Sequence, residues 1–204
     1  MKPCRGKRNI LVACYPSQVT RKNKKPATCS KRPATHYKFT YYHAGYGVGA
    51  LIFSDCGLAG LILPTKCEEE IQKEVLRRFP AATCDNNKNT SLAKILSSYF
   101  RGEKVKFNQT LDLVDFSPFE REVFQTVCTI PYGETRTYKW VAEVLAKPRA
   151  YRAIGKALGR NPIPIVVPCH RVVKSDGELG GFSAGVWWKK ELLKLEGYLG
   201  DKAD

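Results

Sequence analysis

The stretch TYKWVAEVLAKPRAYRAIGKALG (residues 137–159) decides the organisation of this 204-residue chain. Thr137 stands ahead of a helical run from Tyr138 to about Leu145, where its hydroxyl can take one of the amides that a first turn leaves unpaired. Lys147 and Pro148 break the run, because proline has no N–H to donate and restricts the residue before it. Residues 149–159 then resume helical spacing. Two short helices joined by a tight break form a helix-turn-helix pattern. In the second helix Ala150, Ala153, Ile154, Ala157 and Leu158 fall on one face, and Arg149, Arg152 and Lys156 on the other. Gly155 and Gly159 leave room for close backbone approach. Small residues beside a basic stripe suit a helix pressed into a nucleic-acid groove, although a solvated basic face gives the same stripe.

Working upstream, Ser117-Pro118-Phe119-Glu120 is a helix start: a serine cap, proline in the first turn and an early acid. Phe119, Val123, Phe124 and Val127 are its expected buried face, and Pro131-Tyr132-Gly133 the turn that follows. Further back, Tyr37–Tyr42, Val48–Phe53 and Leu58–Leu63 alternate aromatic and β-branched positions between glycines, as a short antiparallel meander does. Residues 67–79 carry helical spacing, with Ile71, Val75, Leu76 and Phe79 on one face and Pro80 as the stop. Leu92 to Phe100 reads as a second amphipathic helix closed by Gly102, and residues 105–113 as a further extended segment. This half is a small α/β unit without a catalytic signature.

Composition narrows the class. Hydrophobic residues make up 43%, enough for a core. No run approaches the length of a membrane helix, and the apolar patch from Ile10 to Cys14 is too short for a secretory signal. The net charge is +15, and residues 1–35 supply ten lysines and arginines with no acid. That segment reads as a flexible basic tail suited to a polyanion or to targeting; a solvated extension without a partner accounts for it equally well. The eight cysteines have irregular spacing and no Cys-x-x-Cys pair, and His36, His43 and His170 lack zinc-ligand spacing. Reduced thiols in an intracellular setting, with no structural disulfide, no metal and no cofactor, are expected.

The chemistry gathers at residues 161–173, NPIPIVVPCHRVV. Cys169 ends an apolar run and precedes His170. A thiol is a useful nucleophile only as thiolate, so it needs a base or a positive field. His170 can supply the base, and Glu196 can orient the imidazole from the C-terminal helix. Adjacent side chains on extended backbone point apart, however, and a cysteine in an apolar run is commonly inert packing.

Pro168-Cys169-His170-Arg171-Val172-Val173 resembles the active-site signature of the O6-alkylguanine-DNA alkyltransferases (methylated-DNA–protein-cysteine methyltransferases). The resemblance covers residues 117–198 and runs without gaps from Tyr138 to Glu196; residues 37–116 resemble the family's variable N-terminal domain in general pattern. It implies that Cys169 is the alkyl acceptor, activated through a water by His170, which Glu196 holds. Asn161 would tie the helix-turn-helix to the active-site loop. Tyr138 would donate a proton toward guanine N3, with Lys189 supporting it. Ser183 and Phe182 would meet the base, in a substrate set that also includes Gly180, Val172 and Pro164. Arg152 would fill the space of the flipped base, within a DNA-facing set of Arg149, Ala150, Tyr151, Arg152, Lys156 and Arg160.

The expected fold is then an α/β N-terminal domain, a small antiparallel sheet with helices, over residues 36–115. A mainly α, winged helix-turn-helix-like C-terminal domain follows over 116–204. The expected partner is double-stranded DNA carrying O6-alkylguanine, bound by a monomer away from membranes, in the nucleus of a eukaryote or the cytoplasm of a prokaryote. The expected activity is single, irreversible transfer to Cys169. Alkyltransferase-like proteins share the scaffold but carry tryptophan in place of the acceptor cysteine. A Cys-His hydrolase would turn over, and would leave Arg152 and Tyr138 unexplained. Trp187 and Trp188 are expected to pack the last helix, or else to shape which alkyl groups fit.

Overall fold

The computed structural model describes residues 36–85 and 90–198. The basic tail 1–35 and the last residues, 199–204, lie outside the described residues. Strands β1 (Lys38–Ala44), β2 (Gly47–Ser54) and β3 (Gly57–Thr65) form the expected antiparallel meander. Gly45 and Tyr46 make the two-residue turn between the first two strands. Gly47, at φ 123°, must be glycine, since a Cβ there would lie 2.0 Å from the Thr65 carbonyl oxygen. Helix α1 (Glu68–Arg78) follows, with three glutamates in its first turn and two arginines in its last, matching the helix dipole. Strand β4 (Thr83–Cys84) then pairs in parallel with β1, giving the order β3-β2-β1-β4. The sheet is therefore mixed, where the sequence pointed to an antiparallel one.

Helix α2 (Thr90–Phe100) lies against β1, its buried face formed by Leu92, Leu96 and Tyr99. Residues 105–113 differ from expectation. They run as irregular chain with one bridge, Leu58 to Leu111, whose neighbours Thr110 and Asp112 exchange backbone bonds with Leu58. These bonds, with Leu61 N–H donating to the Pro162 carbonyl at 2.9 Å, cover the outer edge of β3.

Helix α3 (Pro118–Cys128) opens with a full capping box. Ser117 Oγ accepts from Glu120 N–H, and the Glu120 carboxylate accepts from Ser117 N–H at 2.9 Å. Strand β5 (Arg136–Thr137) leads into helix α4 (Tyr138–Val144), capped by Thr137 Oγ1 accepting from Trp140 N–H at 3.1 Å. The break after α4 is a Schellman motif with Ala146 in the left-handed region (φ 53°) and Lys147 N–H reaching back to Ala142 O. Helix α5 (Tyr151–Gly159) follows, then a 3₁₀ turn (Cys169–Arg171), strand β6 (Val172–Val173) parallel to β5, and helix α6 (Val186–Leu195).

Two apolar stripes turn out narrower than their spacing suggests: Leu76 and Ala153 are exposed. Each lies at the edge of its helix's apolar arc, beyond the surface its neighbours cover. The main core is continuous from the sheet face that bears Tyr42, Leu51 and Leu61, through α2, to α3–α6. A smaller cluster (Phe39, Ala50, Ile52, Ile62, Ile71, Val75 and Ala82) fills the space between the other sheet face and α1.

Candidate active site

The chain enters the site at Asn161, two residues past α5. Its side-chain carbonyl accepts from Ile163 N–H at 3.0 Å, while its amide donates to the Val167 carbonyl at 2.8 Å and to Cys169 Sγ at 2.9 Å. One side chain thus fastens the end of α5 to both ends of the loop that carries the thiol. Within that loop Ile165 occupies the left-handed region at φ 73°, which a β-branched residue adopts only under constraint. Its side chain is buried, and Val167 N–H closes the turn onto Ile163 O at 2.9 Å.

The loop delivers Cys169 and His170 on a 3₁₀ turn instead of extended backbone. Adjacent side chains then splay around the turn rather than pointing to opposite faces, and both are buried. Burial pushes the Cys169 thiol up to about 11, against the Asn161 N–H and the nearby Lys189 charge, which favour thiolate. At rest the sulfur is therefore a protonated thiol that must give up its proton in the site. His170 Nε2 lies 2.8 Å from Glu196 Oε1. Burial lowers the His170 proton affinity despite the opposing pull of Glu196, so the ring is neutral near pH 7 with its hydrogen on Nε2, facing the carboxylate. Nδ1 is then the basic nitrogen, and it is buried without a hydrogen-bond partner among the described residues.

Glu196 caps α6 at its C-terminal end. Burial raises its carboxyl, but the hydrogen bonds from His170 and Arg171 outweigh that and hold it well below the usual carboxylate range. Arg171 reaches it with two nitrogens, Nε to Oε2 at 2.8 Å and Nη2 to Oε1 at 2.9 Å, and donates a third bond to the Ile130 carbonyl. Gly133 N–H adds a bond to Oε2 at 3.1 Å, and the Tyr99 hydroxyl donates to Oε1 at 2.7 Å. Sequence reasoning assigned no role to Arg171 or Tyr99. An arginine inside an apolar run signals a buried partner. A tyrosine at helical spacing with Leu92 and Leu96 signals a buried hydroxyl that needs one.

A cavity of about 340 Å³ opens above the sulfur, lined by Tyr138, Gly155, Leu158, Gly159, Cys169, Gly181, Phe182 and Ser183. Lys189 is completely buried below it. Its ammonium donates to the carbonyls of Val172 (2.6 Å) and Leu179, and sits 6.0 Å from the centre of the Tyr138 ring. Burial brings this lysine down to about 8, and raises the Tyr138 phenol with help from Cys169. Gly180, at φ 67°, lies against the Tyr138 hydroxyl: a Cβ there would approach it to 3.3 Å. Pro164 and Val172 are buried in the loop and in β6, behind the residues that line the cavity.

Tyr151, Arg152 and Lys156 on α5, and Arg149 just ahead of it, are exposed near the cavity-lining Gly155 and Gly159, and the cap residue Ala150 is half-buried. Arg160 is placed differently. It pairs with Glu120 at 2.6 Å and lies over Phe116, tying the end of α5 to the capped start of α3. Trp187 is exposed, and Trp188 packs on Tyr46 and Phe100; neither lines the cavity. Among the described residues no three His, Cys, Asp or Glu side chains gather as metal ligands.

Residues 118–198 match the family described as 6-O-methylguanine DNA methyltransferase, DNA binding domain. Over 119 residues the chain is 48% identical to the methylated-DNA–protein-cysteine methyltransferase of Methanosarcina barkeri, covering 58% of this chain and 75% of that protein. The chain belongs to the methylated-DNA–protein-cysteine methyltransferase family. The likeness of this methyltransferase extends to the fold. It superimposes on Mycobacterium tuberculosis OGT in complex with DNA with a TM-score of 0.65 and 34% identity, over 78% of this chain and 92% of the other. The O6-methylguanine-DNA methyltransferase of Pyrococcus kodakaraensis gives a TM-score of 0.61 at 27% identity, over 79% and 99%. The methyltransferase fold is thus an α/β N-terminal part joined to a helical C-terminal part. No helix among the described residues is long and apolar enough to cross a membrane.

Proposed function

We propose that this chain repairs DNA by direct reversal, moving an alkyl group from O6-alkylguanine irreversibly onto Cys169, once per molecule. The observation that carries the reading is a buried thiol at the floor of a cavity beside exposed cationic residues of α5, held by Asn161 and next to a neutral histidine whose outer nitrogen is fixed by Glu196.

In the proposed step Cys169 Sγ attacks the alkyl carbon. The C–S bond forms as the C–O6 bond breaks, and the bonding pair withdraws into the guanine. The thiol proton passes through a water to His170 Nδ1, and Tyr138 supplies a proton to the ring as charge develops there. One proton is lost by sulfur and one gained by guanine, so the donor and the protein suffice and no cofactor enters the balance. Lys189 stabilises the anionic sulfur and phenol at close quarters. A base stacked in a duplex cannot reach this cavity, so it must be extruded, at a cost of a few kcal/mol. Arg152, exposed on α5, is suited to occupy the space it leaves. Phe182 and Ser183 flank the entering base, with Gly180 keeping Tyr138 accessible. Arg149, Ala150, Tyr151 and Lys156 face the backbone.

We read residues 116–204 as the DNA-binding and alkyl-acceptor domain and residues 36–115 as the domain that buttresses it. We take the protein to act as a monomer. The protein would work where the genome is: the nucleus of a eukaryote, the cytoplasm of a prokaryote. The basic tail adds non-specific attraction to DNA.

The test is intact-protein mass after incubation with a duplex carrying one O6-methylguanine. One methyl group is expected on Cys169, saturating at one per molecule, and none on Cys169→Ala, which still binds the duplex. Unchanged mass in a protein that binds the lesion would make it a damage-recognition protein instead. Arg152→Ala should slow repair of the duplex at least about tenfold more than reaction with free O6-alkylguanine base; equal losses would refute the finger role.

A further inference from the structure

None of the residues that line the cavity comes from the N-terminal half, yet one side chain of that half ends inside the catalytic network. Tyr99 sits in the last turn of α2, completely buried, with its ring packed edge-on against Tyr132 and Phe100. Its hydroxyl donates to Glu196 Oε1 at 2.7 Å and lies 3.4 Å from His170 Nε2. Oε1 is the same oxygen that accepts the His170 Nε2–H at 2.8 Å and a bond from Arg171 Nη2 at 2.9 Å, so tyrosine and histidine share its charge with the guanidinium.

We infer that Tyr99 is a positioning residue: by donating to Glu196 Oε1 it sets how strongly that carboxylate holds the His170 Nε2–H, and so how basic His170 Nδ1 is toward the thiol. This rests on the reading of His170 as the base. The groups facing the imidazole are Tyr99 from α2, Arg171 from the 3₁₀ turn, and Lys189 and Glu196 from α6 and its cap. Arg171 spans both carboxylate oxygens and Gly133 adds a donor to Oε2, so the Tyr99 hydroxyl is one of three donors on Oε1, beside the His170 Nε2–H and Arg171 Nη2. A strong donor on Oε1 drains charge from the histidine bond and keeps the imidazole from becoming a stable cation. Removing it concentrates the carboxylate charge on Nε2–H, which favours the protonated ring. Tyr99 is suited to this task because burial and Glu196 both push its phenol far upward, so it donates at every pH where the protein is folded.

The experiment follows the single-turnover rate with free O6-alkylguanine base against pH, so that base extrusion is not on the path. In parallel, NMR of isotope-labelled histidine nitrogens reads the His170 titration. Two replacements with opposite sign are compared with the full-length protein: Tyr99→Phe, and 3-fluorotyrosine at position 99, whose phenol is the stronger donor. Tyr99→Phe is expected to move the acid limb to higher pH, lowering the rate on that limb about three- to tenfold while the alkaline plateau changes less than about twofold. Fluorotyrosine is expected to move the limb the other way with the fold intact. A limb and a His170 titration unmoved by either replacement, with only a lower Tm for Tyr99→Phe, would reduce Tyr99 to packing and overturn the inference. If the His170 titration moves as expected but the rate ignores it, the inference stands and the reading of His170 as the base falls.

Discussion

The sheet face turned toward α1 and the face turned toward the C-terminal helices are made from alternate residues of the same three strands, yet only the second reaches the site. On the first, Phe39, Ala50, Ile52 and Ile62 meet Ile71 and Val75 in a cluster that ends there. On the second, Tyr42, Leu51 and Leu61 open a core that passes through Leu92, Leu96 and Tyr99 to Val167 and Cys169. Strand alternation alone separates the two. Apolar burial holds each cluster together in the same way, but they differ in the polar groups they enclose. The larger cluster surrounds Asn161, His170, Lys189 and Glu196, all buried and most of them hydrogen-bonded. A mutation in the small cluster should therefore cost stability alone, and one in the large cluster stability and chemistry together.

Asn161→Ala should show the largest effect. It strands the Ile163 N–H, a buried group worth roughly 1–3 kcal/mol when unpaired, removes one of the two bonds that the Val167 carbonyl accepts, and frees the sulfur. A fall in Tm and a loss of about a hundredfold or more in transfer rate should appear together; a normal rate in a destabilised protein would break the distinction. Ile71→Ala comes next. The residue is 1% exposed, so its truncation should cost about 2–5 kcal/mol by denaturant melting. Transfer by the folded fraction should stay within about twofold of the parent, and a matching loss of rate would mean that the small cluster also shapes the site.

The smallest effect is the pH dependence of stability. His170 has a lowered folded value, so the unfolded chain binds its proton first as pH drops below the ordinary imidazole value of 6.5, and stability falls from there. Glu196 is depressed when folded, so its contribution is complete above 4.5 and lost as pH falls below it. Tm should decline by a few degrees from pH 7 to 5 and more steeply below. A Tm that holds steady from 7 to 5 would show that His170 is not kept neutral.

Where a signal is local, the sequence carries it. Ser117 and Thr137 cap their helices because the partner amides are three residues away. The alternation of β1 to β3 was legible for the same reason. Strand β4 was not: two residues in polar surroundings pair only because α1 returns the chain to β1. Residues 105–113 looked extended, but their bonds go to single residues of β3. At the site, the motif around Cys169 pointed to the thiol and to its neighbouring histidine. The 3₁₀ turn that lets both serve one network, and the contributions of Arg171 and Tyr99, depend on partners 25 to 97 residues away.

The pairing of Arg160 with Glu120 changes how the basic face should be counted. A protein that neutralises DNA phosphates releases condensed counterions, about 0.9 for each phosphate on a B-form duplex. If the face formed by these residues is the one that meets DNA, Arg149, Arg152 and Lys156 would bring exposed charges to it, whereas Arg160 would come already paired with a carboxylate of its own chain. It adds little to the salt dependence of binding. Instead it ties the trailing end of α5 to the capped start of α3, an arrangement that would exchange electrostatic affinity for a fixed angle of α5 against the duplex.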